Sequence, residues 1–134
     1  MDTSLRAIST TIAGRPERVA DAREFVADAL RGTSFVDDAV LMVSEVAANA
    51  VRHTASGCTG GSYTVIVGPT DDGAGFRVEV HDAGAASVPC VRRAPGDADG
   101  TNGRGVTIMD LLATRWGFER EADQHTVVWF EVPR

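Results

Sequence analysis

An α+β two-layer sandwich, a mixed and mostly antiparallel sheet covered on one face by three helices, is what this sequence predicts. Two segments with helical hydrophobic spacing follow a single opening strand, and the period then changes from 3.6 to 2 for a hairpin. A second hairpin closes the chain, and the regular βαβ alternation of a doubly wound sheet is missing.

The elements follow in order. Residues 5–12 read as the opening strand, which Gly14 ends, and Pro16 stands where proline suits the first helical position. Val19, Ala22, Val26, Ala29 and Leu30 recur at helical spacing, so the first helix runs from there to Gly32. The second helix is expected over 36–54. Asp37 and Asp38 sit in its first turn, where they complement the helix dipole, and Val40, Val43, Ala47, Ala50 and Val51 form its apolar stripe.

Residues 63–67 and 76–81 are rich in β-formers and are joined by Asp71-Asp72-Gly73-Ala74-Gly75, which predicts a hairpin. Between 83 and 105 lie five glycines and two prolines among small residues, so this stretch is expected to be a long functional loop. A third helix over 106–113 carries Ile108, Leu111 and Leu112, and segments 116–120 and 126–132 make the closing hairpin.

The length of 134 residues with 43% hydrophobic content suits one ordinary core, and a single domain over 1–134 is expected. Thirteen basic against nineteen acidic residues leave a net charge of −6, which argues against direct nucleic-acid binding. No run approaches the roughly 20 apolar residues of a membrane span, and the first eleven residues lack a signal-peptide layout, so a cytoplasmic location is expected. Cys58 and Cys90 have no metal-like or redox-pair spacing and read as free thiols. The chain has no lysine, which excludes a Walker-type phosphate loop and the strand lysine of ordinary protein kinases.

Three polar constellations stand out. Glu45, Asn49 and His53 lie at i, i+4 and i+8 of the second helix, so offsets of about 40° place them along one ridge beside the apolar stripe. Alone, such a ridge is ordinarily a solvated helix face. Asp82 ends a strand just before Gly84, where a carboxylate can accept a hydrogen bond from a base amino group; a turn aspartate is the plainer alternative. Gly100-Thr101-Asn102-Gly103-Arg104-Gly105 opens the third helix, where backbone N–H groups can receive phosphate oxygens.

In this order the three elements resemble a known family. Ser44-Glu45-Val46-Ala47-Ala48-Asn49-Ala50-Val51-Arg52-His53-Thr54 looks like the N box of the GHKL (histidine-kinase-like) ATPases, in the branch of anti-sigma factor serine/threonine kinases. Val80-His81-Asp82-Ala83-Gly84 resembles the first glycine box, and Gly103-Arg104-Gly105-Val106 with Ile108 and Met109 resembles the second. Ala113-Thr114-Arg115-Trp116-Gly117 and Val128-Trp129-Phe130-Glu131 extend the likeness over nearly the whole chain. Two departures are visible. Ala85 stands where the family often has a second glycine. The threonine that often precedes the family's tryptophan by two positions is Val127 here, with Thr126 one place earlier. A one-residue shift reverses the strand face, so Thr126 as an adenine contact depends on the face it takes.

The resemblance implies ATP and Mg2+ as cofactors, with Asn49 as the magnesium ligand and Glu45 as the base for an incoming hydroxyl. It places Asp82 at the adenine amino group, and Thr126 is the candidate for the adenine contact that the family's threonine makes. Gly84, Gly103, Gly105 and Val106 belong to the nucleotide-binding boxes, Arg104 adds charge at the phosphates, and residues 83–102 form a lid. Arg52 and His53 support the site. The implied partners are a sigma factor and an antagonist carrying a STAS domain. Homodimerisation is common among the kinases it resembles, and the opening strand with the first helix offers a surface for it. A noncatalytic ATP-dependent binding module and a simple ATPase remain open on the sequence.

Overall fold

The computed structural model describes residues 6–53, 61–82, 108–121 and 125–134. The chain opens with β1 (Ile8–Ala13), passes through a 3-10 turn (Pro16–Arg18) and forms α1 (Val19–Ala29) and α2 (Val36–His53). There follow β2 (Ser62–Pro69) and β3 (Gly75–Asp82), a helical stretch at 108–112, and β4 (Arg115–Arg120) with β5 (Thr126–Pro133). The strands make one sheet in the order β1-β2-β3-β5-β4, with every pairing antiparallel. The expected two-layer α+β fold is therefore the one found, and the described sheet is antiparallel throughout. The long loop expected at 83–105 and both cysteines lie outside the described residues.

Local chemistry accounts for the elements. Arg15 is extended, as a residue before proline must be, and Pro16 opens the 3-10 turn that leads into α1. In the hairpin the Asp72 carboxylate accepts from Thr70 Oγ1 at 2.6 Å and from the Ala74 N–H at 2.9 Å. Gly73 closes that turn at a φ of 71°, where a side chain would be strained.

α2 buries more of its surface than the expected stripe. Ala39, Met42 and Val46 are enclosed together with Val43, Ala47, Ala50 and Val51, whereas Val40 is only partly buried. The physical reason is that α2 packs against α1 on one side and against β3 on another, so its apolar arc spans both directions. In the stretch 108–112, Met109 is buried and Ile108 and Leu112 pack on the core, but Leu111 is 76% exposed. It lies about 130° round the helix from the buried side, which corrects its place in the expected apolar face.

Period-2 alternation separates the two sheet faces. Phe76, Val78 and Val80 of β3 are buried under the helices with Tyr63, Val65 and Val67 of β2 and with Phe130 and Val132 of β5. The opposite face carries Arg77, Glu79 and His81 beside Trp129 and Glu131. There Arg77 Nε donates to Glu79 Oε2 at 2.8 Å and its Nη1 to Glu131 Oε2 at 3.0 Å, while its guanidinium lies 4.0 Å from the centre of the Trp129 ring. Arg115 Nε reaches Glu131 Oε1 at 3.1 Å from β4. Gly117 is required by this packing, since a Cβ there would sit 2.9 Å from the Trp129 ring. Among the described residues no helix is long and apolar enough to cross a membrane.

Two predictions follow from this packing. Burial alone would raise the Glu79 carboxyl, but hydrogen bonds from His81 and Arg77 and their charges outweigh it and hold the group below its ordinary 4.5. A depressed folded value adds stability above the unfolded value that is lost as pH falls through the folded one. Denaturant midpoints should therefore drop below about pH 4.5 in part through Glu79, and Glu79→Gln should flatten that acid limb; an unchanged limb would contradict the assignment. Tyr63 is 1% exposed, its hydroxyl has no hydrogen-bond partner among the described residues, and burial pushes its phenol up to about 12. Tyr63→Phe should leave stability unchanged or raise it by about 1 to 3 kcal/mol, the cost of an unsatisfied buried group. A clear loss on urea unfolding would show that the hydroxyl is bonded.

Candidate functional site

The second helix brings the first part of the site. Glu45 and Asn49 are both half-buried, one turn apart on a ridge that borders the enclosed arc of α2. Arg52, one turn further on, donates from Nη1 to Asn49 Oδ1 at 3.3 Å. The amide oxygen of Asn49 is the acceptor of that bond, and as a hard neutral oxygen it is of a type that a metal ion can take. His53 ends the helix, and its side chain lies outside the described residues.

The sheet brings the second part. Asp82 is the last residue of β3 and is 6% exposed. It continues the alternation of Val78 and Val80, so its side chain is on the sheet face that the helices cover. A buried carboxylate at the end of an apolar strand face makes Asp82 a candidate for a polar task.

Thr126 stands directly opposite Asp82 in the β3–β5 register. Residues directly opposite across antiparallel strands share a face, so Thr126 lies on the inner face beside Asp82, and Val127 lies on the outer face opposite His81. The one-residue shift noted in the sequence therefore leaves the threonine on the side of the carboxylate. Asp82 and Thr126 together set an acceptor and a hydroxyl side by side on a face that is otherwise Val78, Val80, Val128 and Phe130. That pair can read the polar edge of a flat heterocycle.

A match to the histidine kinase-like ATPase domain runs over residues 12–132, from the last turn of β1 to the end of β5. The chain belongs to this family. No curated protein matches the chain. Membership of the histidine kinase-like ATPase family carries ATP binding with it, and the described strands and helices supply the frame for a nucleotide site. Gly84, Gly103, Arg104, Gly105 and Val106, the expected phosphate-side residues, lie outside the described residues.

Within this histidine kinase-like domain, the expected residues Glu45 and Asn49 share one half-buried ridge of α2 and Asp82 stands on the inner sheet face, while the face of Thr126 was left open by the sequence. The hydrogen bond from Arg52 to Asn49 was anticipated only as general support. Its signal was the i, i+3 spacing of a long donor and an amide on one helix.

Proposed function

We propose that this ATP-binding domain is a cytoplasmic protein serine/threonine kinase acting as an anti-sigma factor, which binds a sigma factor and phosphorylates a STAS-domain antagonist. The observation that carries the reading is the placement of Glu45 and Asn49 on one half-buried ridge of α2, together with the buried Asp82 opposite Thr126. The likeness of the segment 44–54 to the N box of the anti-sigma kinases supports the finer assignment.

The donor set fits the cofactors that the family implies. Asn49 offers a neutral oxygen of the hard kind that Mg2+ takes. Asp82 and Thr126 offer an acceptor and a hydroxyl for the adenine edge. Magnesium-bound ATP supplies the phosphoryl group, and the metal offsets the charge on its oxygens.

The residues of the chain do the rest. Asp82 accepts from the adenine amino group, a contact that a guanine ring, with its carbonyl there, cannot offer. Glu45 takes the proton of the incoming serine hydroxyl at its carboxylate. Asn49, one turn along the ridge from Glu45, would hold the metal. By resemblance, Gly84, Gly103, Gly105 and Val106 bring backbone close to the nucleotide, and Arg104 adds positive charge at the phosphates.

Three substitutions test this arrangement. Asn49→Ala should remove the magnesium-dependent part of nucleotide affinity. Asp82→Asn should weaken ATP binding by about 1 to 3 kcal/mol and narrow the preference over GTP, the range expected for a hydrogen bond to a charged group. Glu45→Ala should keep ATP binding in calorimetry while abolishing transfer of labelled phosphate to the serine of a STAS protein. Unchanged titrations for the first two would contradict the site. If the wild type binds ATP but neither it nor Glu45→Ala labels any antagonist, the noncatalytic reading replaces the kinase. If it releases phosphate without a partner, the ATPase reading does.

A further inference from the structure

On the other flank of α2, the two helices leave a groove of about 390 Å3. Its apolar wall is Pro16 and Val19 from the start of the helical layer with Ala48 and Val51 from α2. Among the described residues its polar groups are Ser44 and two guanidiniums, Arg23 from α1 and Arg52 from α2. Ser44, Ala48 and Val51 sit about 100° round the helix from Glu45 and Asn49, so the groove is separate from the ridge.

We propose that this groove docks a segment of a partner protein that sets an Asp or Glu carboxylate between Arg23 and Arg52 and an aliphatic neighbour on Val19 and Val51. Charge complementarity selects that occupant. Two arginines from different helices face one apolar cleft on a chain whose net charge is −6, so the cleft is a local exception to an acidic molecule. A polyphosphate or nucleic acid would gain nothing from the apolar wall and would meet the acidic remainder. Arg23 donates to the neutral Ser44 Oγ at 3.2 Å, at the long end of the normal range, and exchanging that bond for a carboxylate gives a shorter, charge-assisted one. On the facing helix, Arg52 donates to Asn49 Oδ1 at 3.3 Å.

The bond from Arg52 also gives docking a consequence. A carboxylate that draws Arg52 into the groove removes that donor from Asn49, so occupancy on one flank of α2 alters the oxygen on the other. This link rests on Asn49 being the metal ligand; the docking itself does not.

The test uses the isotopically labelled full chain and two probes, N-acetyl-Leu-Glu-Leu-amide and the same peptide with Gln for Glu, titrated to millimolar concentration. The Glu peptide should shift the amides of residues 19–23 and 44–52 saturably, and the Gln peptide should bind at least about tenfold more weakly. Arg23→Gln and Arg52→Gln should reduce Glu-peptide binding similarly; the comparison of the two peptides on the native chain decides the matter even if a variant unfolds. Equal affinity for the two peptides, shifts centred elsewhere, or no saturable shift would overturn the proposal. So would groove shifts that grow with protein concentration alone, which would assign the groove to a second copy. In a second arm, the Glu peptide should change the affinity for Mn2+ with ATP at least about twofold. Docking with no such change overturns the link through Arg52, whereas absence of any ATP binding overturns the nucleotide reading and leaves the docking result standing.

Discussion

The alignment of β3 against β5 is the constraint on which the rest of this structure depends. With Asp82 opposite Thr126, the run Phe76, Val78, Val80 faces the helices and Arg77, Glu79 and His81 face away. A slip of one residue would turn three apolar side chains to solvent and force three ionisable ones under α2, at a cost of several kcal/mol for each charge buried without a partner. The ladder on the outer face works against such a slip, because Arg77 bonds along its own strand to Glu79 and across to Glu131, which Arg115 reaches from β4. Three strands are held in one alignment by a charge network on one face and by apolar packing on the other. Asp82 and Thr126, the acceptor and hydroxyl proposed to read the adenine edge, are positioned by the same two devices.

α2 is the second organising element. Its enclosed arc fixes its rotation, and that rotation sends two different polar margins to two sides. Glu45 and Asn49 lie on one margin, and Ser44 and Ala48 lie on the other, each exactly one residue earlier in the chain. Arg52 takes part in both, since it bonds Asn49 and lines the groove, so the proposed partner surface and the proposed nucleotide surface share a residue.

Much of this was legible in the sequence because the signals were local. Pro16 and Gly32 bracketed the first helix, Asp37 and Asp38 announced the second, and the turn from Asp71 to Gly75 fixed the first hairpin. Glu45 and Asn49 could be placed on one ridge from spacing alone, since helical geometry is the same everywhere. What could not be read was set by contacts distant in the chain. The width of the apolar arc of α2, which takes in Ala39, Met42 and Val46, follows from its having two packing partners. The exposure of Leu111 depends on which side of its short helix meets the core. The face of Thr126 depends on pairing with a strand more than forty residues away, and the groove between α1 and α2 exists only once the two helices are packed.

The central claim is that a metal-bound triphosphate lies along the Glu45–Asn49 margin of α2, on the helix-covered side of the sheet. Paramagnetic broadening by Mn2+ with ATP reads that placement directly in the labelled chain. The account predicts that amides of residues 45–52 lose intensity first, while the side-chain signals of Arg77 and Trp129 on the outer face persist. Broadening centred on the outer face, or none at nucleotide saturation, would contradict it.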